Sequence, residues 1–86
     1  MATVEIFVKT TCPYCIRARR LLDDKGIAYK VRVIDFGGPD RQEMIERTAG
    51  RSTVPQIFIG KRHIGGCDDL MRLEDHGKLD DMLAAA

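Results

Sequence analysis

The chain has 86 residues, of which 44% are hydrophobic and 31% are charged, and its formal net charge is +1. This is the composition of an ordinary globular protein, and the length predicts a single domain over residues 1–86. The balanced charge excludes a general attraction to nucleic acid or to a membrane surface, so we expect neither as a partner. No stretch predicts a membrane-spanning helix or a signal peptide, which favours a cytoplasmic location.

Two successive strand–helix patterns begin the chain. Hydrophobic residues alternate from Val4 to Val8 and again over residues 27–34, and each stretch predicts a strand. Between them, an amphipathic stretch from Ile16 to Lys25 predicts a helix that ends at Gly26. A strand–helix–strand unit favours parallel pairing through a right-handed crossover, so we expect the two strands to lie side by side.

The second half of the chain changes this pattern. Asp40 and Glu43 have the spacing of a capping box, which predicts the start of a second helix. Two short segments that predict strands, residues 56–59 and 62–64, are joined by Gly60-Lys61. A two-residue link of this kind predicts an antiparallel hairpin.

Two further helices, over residues 67–76 and 78–86, complete the predicted elements. The order is βαβαββα, followed by a short helix. It predicts an α/β fold in which helices flank a four-stranded mixed sheet.

A Cys-X-X-Cys motif, Cys12-Pro13-Tyr14-Cys15, separates the first strand from the first helix. The first turn of a helix has unpaired backbone N–H groups and the positive end of the macrodipole, and both stabilise a thiolate. Pro13 suits the first helical position because it has no N–H to leave unpaired. We therefore expect Cys12, at the exposed cap, to attack a disulfide, and the more buried Cys15 to resolve the mixed disulfide.

Metal binding is the alternative function for such a cysteine pair. A closed structural zinc site needs about four ligands, usually from two pairs. The candidates to complete one here are Cys67, His63 and His76, and they do not form a second pair. The sequence therefore favours redox chemistry, and we expect no bound metal.

Three motifs together resemble those of a known family. Cys12-Pro13-Tyr14-Cys15, Thr53-Val54-Pro55 and Gly65-Gly66-Cys67-Asp68-Asp69 occur in the order and at about the spacing seen in glutaredoxins. The sequence resembles a dithiol glutaredoxin over nearly its whole length. The resemblance implies a thioredoxin-like fold and a thiol–disulfide oxidoreductase that uses glutathione as its reductant, without a bound cofactor.

The same resemblance implies how glutathione is held. Pro55 would be cis, and Val54 would pair with the tripeptide as if it were an added strand. The start of the third helix would bind the γ-glutamyl group, and Lys9 the glycine carboxylate. The residues implied to contact glutathione are Lys9, Tyr14, Gln42, Thr53, Val54, Pro55, Gly66, Cys67, Asp68 and Asp69.

Several of these residues also have a structural interpretation. The two aspartates after Cys67 can simply stabilise the first turn of a helix. Tyr14 can be a surface aromatic residue, and Cys67 can be a small buried hydrophobic one. Arg51 is a further candidate for contact with glutathione.

The implied substrates are disulfide-containing and glutathionylated proteins, with ribonucleotide reductase as a candidate, and the implied state is a monomer. One alternative is an iron–sulfur carrier that binds a cluster with glutathione across a dimer. Pro13 and Cys15 count against it, because members specialised for that role usually have one active cysteine. Two further possibilities are a thioredoxin served by a flavoprotein reductase and an interaction module without turnover. The usual Trp-Cys-Gly-Pro-Cys of thioredoxins is absent.

Overall fold

A computed structural model describes residues 2–85, so Ala86, the end of the predicted final helix, lies outside the described residues. The strands are β1 (Val4–Val8), β2 (Lys30–Val33), β3 (Gln56–Ile59) and β4 (Arg62–Gly65), and the helices are α1 (Pro13–Asp24), α2 (Gly38–Arg47), α3 (Cys67–Asp75) and α4 (Leu79–Ala84). The strands form one sheet in the order β2-β1-β3-β4. β1 is parallel to β2 and antiparallel to β3, and β3 is antiparallel to β4.

This topology confirms the predicted four-stranded mixed sheet. β1 and β2 pair in parallel because α1 carries the chain back between them. β3 and β4 are joined by Gly60-Lys61, where Gly60 adopts the positive φ of 62° that a tight hairpin requires. No helix within residues 2–85 is long and apolar enough to cross a membrane.

The sheet has a hydrophobic core on each face. On one face, α1, α3 and α4 pack against β1 and β3, and Leu22 and Ile57 are fully buried there. On the other face, α2 places Met44 against Phe7 and Phe58, whose rings meet edge to face at 5.9 Å. Alternate residues of β1 and β3 thus face different cores, which fixes the middle of the sheet from both sides.

The start of α2 differs from the prediction. The residue before the helix is Gly37, with a φ of 76°, and no side chain caps the helix. The predicted capping box of Asp40 and Glu43 is therefore wrong. Both carboxylates instead bind the guanidinium of Arg32 on β2, at 2.6 and 3.0 Å. A charge-assisted hydrogen bond is stronger than a neutral one, so the long-range partner prevails over the local cap.

A group of two arginines and three carboxylates covers the second core. The Arg32 cluster consists of Glu5, Arg32, Asp40, Glu43 and Arg47. The Arg32 side chain is 14% exposed, and its guanidinium lies 5.0 Å from the centre of the Phe7 ring. Hydrogen bonds from Arg32 first, and from Arg47 second, lower the pKa of Glu43 to about 2. The cluster fastens α2 to β1 and β2.

Replacing Arg32 with methionine is expected to lower the free energy of unfolding at neutral pH by about 1–3 kcal/mol, because three carboxylates lose a charged donor. Glu43 has an ordinary pKa of 4.5 and a folded pKa of about 2, so its contribution is present above pH 4.5 and is lost as the pH falls toward 2. Urea unfolding across this range measures both effects. Arg41→Met, at an exposed position of α2, is the matched control. Equal destabilisation by the two substitutions would contradict the role of the cluster.

The carboxyl end of β1 leads into the cysteine motif. The backbone N–H of Thr10 donates to Asp35 Oδ1 at 2.9 Å, which ties this loop to the segment after β2 and lowers the pKa of Asp35. The N–H of Cys12 donates to the carbonyl of Lys9 at 3.3 Å. These two hydrogen bonds hold the loop at the edge of the sheet where α1 begins.

Candidate active site

Cys12 is the N-cap of α1, and Pro13 is the first helical residue. The Cys12 sulfur accepts a hydrogen bond from the backbone N–H of Cys15 at 3.2 Å. It thus occupies the position of the Ser or Asp oxygen that usually caps a helix. A negatively charged sulfur that forms here during disulfide exchange is met by this hydrogen bond and by the positive end of the helix macrodipole.

Cys15 lies one turn inside the same helix and is only 1% exposed. Burial, and then the hydrogen bond with the Cys12 sulfur, raises the pKa of Cys15 to about 12. Cys15 is therefore a protonated thiol at neutral pH. Cys12 is partly exposed and is the sulfur of the pair that a disulfide from solvent can reach.

A groove of about 190 Å³ runs beside the cysteine motif. It is lined by Tyr14, Arg51, Thr53, Val54, Pro55, Gln56, Gly66, Cys67, Asp68 and Asp69. The Cys12 sulfur lies 3.9 Å from the carbonyl oxygen of Val54, and the Val54–Pro55 peptide is cis. A Cβ on Gly66 would lie 3.4 Å from the Pro55 carbonyl oxygen, which is an ordinary van der Waals contact, so these two walls of the groove lie close together.

The start of α3 forms one end of the groove. Gly65 has a φ of 116°, and a Cβ there would collide with the Asp69 carboxylate, so this position requires glycine. Asp69 Oδ2 accepts the backbone N–H of Gly66 at 3.0 Å. Asp69 thus caps the helix, which supports its structural interpretation. Asp68 is exposed and lines the groove.

Cys67 is the first residue of α3 and is 4% exposed. Burial raises the pKa of its thiol, although the positive charge of Arg17 opposes this shift. The side chain packs in the same core as Cys15. These observations favour the interpretation of Cys67 as a small buried residue.

The structure brings together all of the predicted glutathione-contacting residues except two. Lys9 and Gln42 are exposed and lie outside the groove lining. Gln42 is on α2, where its amide nitrogen donates to Glu46 Oε1 at 3.2 Å. The cation that does line the groove is Arg51. Its backbone is held by Thr48, whose hydroxyl oxygen accepts the Arg51 N–H at 3.1 Å.

Gln56 is a groove residue that the sequence motifs did not predict. This residue lines the groove although it is only 2% exposed. The signal in the sequence is a single amide side chain at the start of an otherwise apolar strand, Gln56-Ile57-Phe58-Ile59. Buried polar side chains need hydrogen-bond partners, so such a position indicates a specific internal contact.

Within residues 2–85, no group of three or more His, Cys, Asp or Glu side chains is placed to hold a metal ion. Both cysteines of the motif are free thiols in the structure. One sulfur is partly exposed at a helix cap, and the other is buried and protonated. This arrangement is suited to thiol–disulfide exchange.

The sheet order and the paired thiols define a thiol–disulfide oxidoreductase with a thioredoxin-like fold. The family model described as Glutaredoxin matches residues 4–64. The chain is also 55% identical to glutaredoxin 3 of Escherichia coli strain K12 over 83 residues, which are 96% of this chain and 99% of that protein. The chain belongs to the glutaredoxin family.

Solved structures agree with this assignment. The solution structure of glutaredoxin from Brucella melitensis is 51% identical, with a TM-score of 0.82 over 96% of this chain and 89% of that one. The crystal structure of a buckwheat glutaredoxin–glutathione complex is 36% identical, with a TM-score of 0.84 over 95% of this chain and 76% of that one. None of these comparisons favours iron–sulfur carriage over thiol–disulfide exchange.

Proposed function

We propose that this glutaredoxin uses glutathione to reduce protein disulfides and protein–glutathione mixed disulfides. One observation carries the proposal: the partly exposed sulfur of Cys12 lies beside a groove whose walls are the Val54 backbone and the start of α3. An extended peptide can pair with the first wall and an anion can bind at the second. The similar buckwheat protein, solved as a glutathione complex, supports glutathione as the occupant.

The reduction of a mixed disulfide needs only one cysteine. The Cys12 thiolate attacks the glutathione sulfur of the mixed disulfide, and a Cys12–glutathione disulfide forms. The substrate protein leaves as a thiolate, which then takes up a proton. A second glutathione thiolate then attacks the glutathione sulfur of this adduct. The products are oxidised glutathione and the regenerated Cys12 thiolate, so each turnover consumes one free glutathione, and the other half of the oxidised glutathione comes from the mixed disulfide itself.

A protein disulfide needs both cysteines. Cys12 attacks one substrate sulfur and releases the other as a thiol, which leaves a mixed disulfide with the substrate. Cys15 then loses its proton and attacks the Cys12 sulfur, so the substrate leaves fully reduced and a Cys12–Cys15 disulfide forms. Two glutathione molecules reduce that disulfide through a Cys12–glutathione adduct, with oxidised glutathione as the product.

The groove offers complementary groups for each part of glutathione. Val54 supplies a backbone N–H and a carbonyl to the cysteinyl unit. The carboxylate of Asp68 is suited to the γ-glutamyl ammonium, and the first N–H groups of α3 to the γ-glutamyl carboxylate. Arg51 is suited to the glycine carboxylate, with Lys9 as the second candidate. The monomeric state, the cytoplasmic location and action on ribonucleotide reductase stay predictions.

Turnover of a glutathionylated peptide, with glutathione and a glutathione-regenerating system, tests this function. Wild-type protein is expected to turn over, and Asp68→Asn is expected to raise the KM for the peptide about tenfold, as for a lost charge-assisted hydrogen bond. Its kcat should stay near the wild-type value because Cys12 is untouched. Asp75→Asn, at an exposed position of the same helix, is the control. An unchanged KM in Asp68→Asn would contradict the proposed binding mode, and absent wild-type turnover would contradict the function.

A further inference from the structure

A chain of partly buried hydrogen bonds connects β4 to the groove. Gln56, the first residue of β3, donates from its amide nitrogen to the carbonyl oxygen of Thr53 at 3.0 Å and to its hydroxyl oxygen at 3.2 Å. His63, on β4, places its Nε2 atom 2.6 Å from the amide oxygen of Gln56. In the described part of the chain, the hydrogen bonds that reach Thr53 all come from Gln56. Thr53 directly precedes Val54, the backbone wall beside Cys12.

The partners fix the direction of each hydrogen bond. A carbonyl oxygen can only accept, so the atom of Gln56 that faces Thr53 must be the amide nitrogen. The amide oxygen therefore faces His63, and His63 must carry a proton on Nε2. Both amide hydrogens and the oxygen of Gln56 are then used within the protein, so this side chain acts on the groove through Thr53 rather than by binding a ligand.

Packing holds the His63 ring in place. The ring stacks on Phe58 at a centroid distance of 5.0 Å and an interplanar angle of 28°. Burial, and then the positive charges of Arg51 and Arg47, lower the pKa of His63, while Asp69 opposes them. The ring is therefore neutral at pH 7. Protonation would occur at Nδ1 and would leave the Nε2–H donor in place.

We propose that Gln56 and His63 are positioning residues for the glutathione groove. Their hydrogen-bond chain holds the Thr53 carbonyl and hydroxyl, and so sets where Val54 presents its backbone to the glutathione part of a substrate. This inference rests on the proposed function. These hydrogen bonds orient a wall of the binding groove and contact neither cysteine of the motif. Their loss should therefore weaken substrate binding more than it slows sulfur exchange.

A pair of His63 variants separates the hydrogen bond from the packing. His63→Phe can keep the stacking on Phe58 but has no donor, whereas His63→Gln can place an amide N–H near the position of Nε2. With the glutathionylated peptide, His63→Phe is expected to raise KM about fivefold, the loss typical of one hydrogen bond, and to leave kcat within about twofold. His63→Gln should restore most of the wild-type KM. His76→Phe, at an exposed histidine that takes no part in these hydrogen bonds, should leave KM unchanged.

Gln56→Glu tests the hydrogen bonds from residue 56 to Thr53. Glutamate has nearly the same shape and can accept from His63, but an ionised carboxylate cannot donate to Thr53. This variant is expected to raise KM at least as much as His63→Phe does. Side-chain ¹⁵N spectra of His63 provide a second measurement, in which the wild-type protein should show the tautomer protonated on Nε2.

The outcomes distinguish this inference from the function it rests on. Wild-type protein without glutathione-dependent turnover would overturn the proposed function and, with it, this inference. If the wild-type protein is active but His63→Phe and His63→Gln have the same KM as each other, the positioning role alone is overturned. So would a His63→Phe variant that melts at a lower temperature with an unchanged KM, because that result shows a purely structural histidine. A His63 tautomer protonated on Nδ1 would also contradict the proposed hydrogen bond from His63 to Gln56.

Discussion

Replacing Cys12 with serine is expected to lower the glutathione-dependent turnover of every disulfide substrate by at least about a thousandfold, as for loss of a catalytic nucleophile. The fold should survive this change. A serine hydroxyl can accept the Cys15 N–H that the Cys12 sulfur now accepts at 3.2 Å, and serine is among the preferred N-cap residues. Turnover of the glutathionylated peptide measures the loss, and a thermal melt checks that the midpoint is unchanged or higher.

A control experiment identifies the sulfur that reacts. Incubation of wild-type protein with the glutathionylated peptide, followed by acid quenching and peptide mass mapping, should place the glutathione adduct on Cys12. The same treatment of Cys12→Ser should give no adduct. Persistent turnover, or an adduct on Cys15 or Cys67, would show that another thiol is the nucleophile.

Replacing Cys15 with serine is expected to separate the two activities. Reduction of a protein disulfide should fall by at least about a hundredfold, because an intramolecular attack with a high effective molarity is replaced by attack from free glutathione. Reduction of the glutathionylated peptide should continue, since that route uses Cys12 and glutathione only. The substitution does not affect the backbone N–H of Cys15, which donates to the Cys12 sulfur.

Two measurements make this second result decisive. Both substrates are assayed side by side with the same protein, so a loss of folded protein would lower both rates together. Cys15→Ala is the companion variant. Position 15 is 1% exposed, so the hydroxyl of Cys15→Ser would be buried and could lower the stability of the protein. An equal loss of both activities in both variants would contradict the division of roles between the cysteines.

Local features of the chain were predicted correctly where a short segment carries its own physical chemistry. The start of α1 depends on Pro13 and on the cap position of Cys12, and both are properties of adjacent residues. The hairpin at Gly60-Lys61 and the parallel pairing of β1 with β2 follow equally from local turn geometry and a short crossover. The predicted antiparallel and parallel pairings are confirmed.

Predictions failed where a charged side chain had a choice of partners. Asp40 and Glu43 have capping-box spacing, but Arg32, on a neighbouring strand, binds both of them. Lys25, at the end of α1, likewise has distant partners: it lies 2.8 Å from Glu74 and 2.7 Å from Asp80, which joins α1 to α3 and α4. Sequence spacing describes local partners only, and a stronger ion pair from elsewhere in the chain overrides them.

The sequence by itself determined the fold and the reactive pair, because hydrophobic periodicity and the helix-start motif are local and have few alternatives. Only the tertiary structure decided which cation lines the groove, since Arg51 and Lys9 lie on loops whose positions depend on the packed sheet. It also decided that Gln56 lines the groove and that His63 contacts its side chain. A contact between β3 and β4 that ends at Thr53 arises when the two strands pair, and no spacing in the chain signals it.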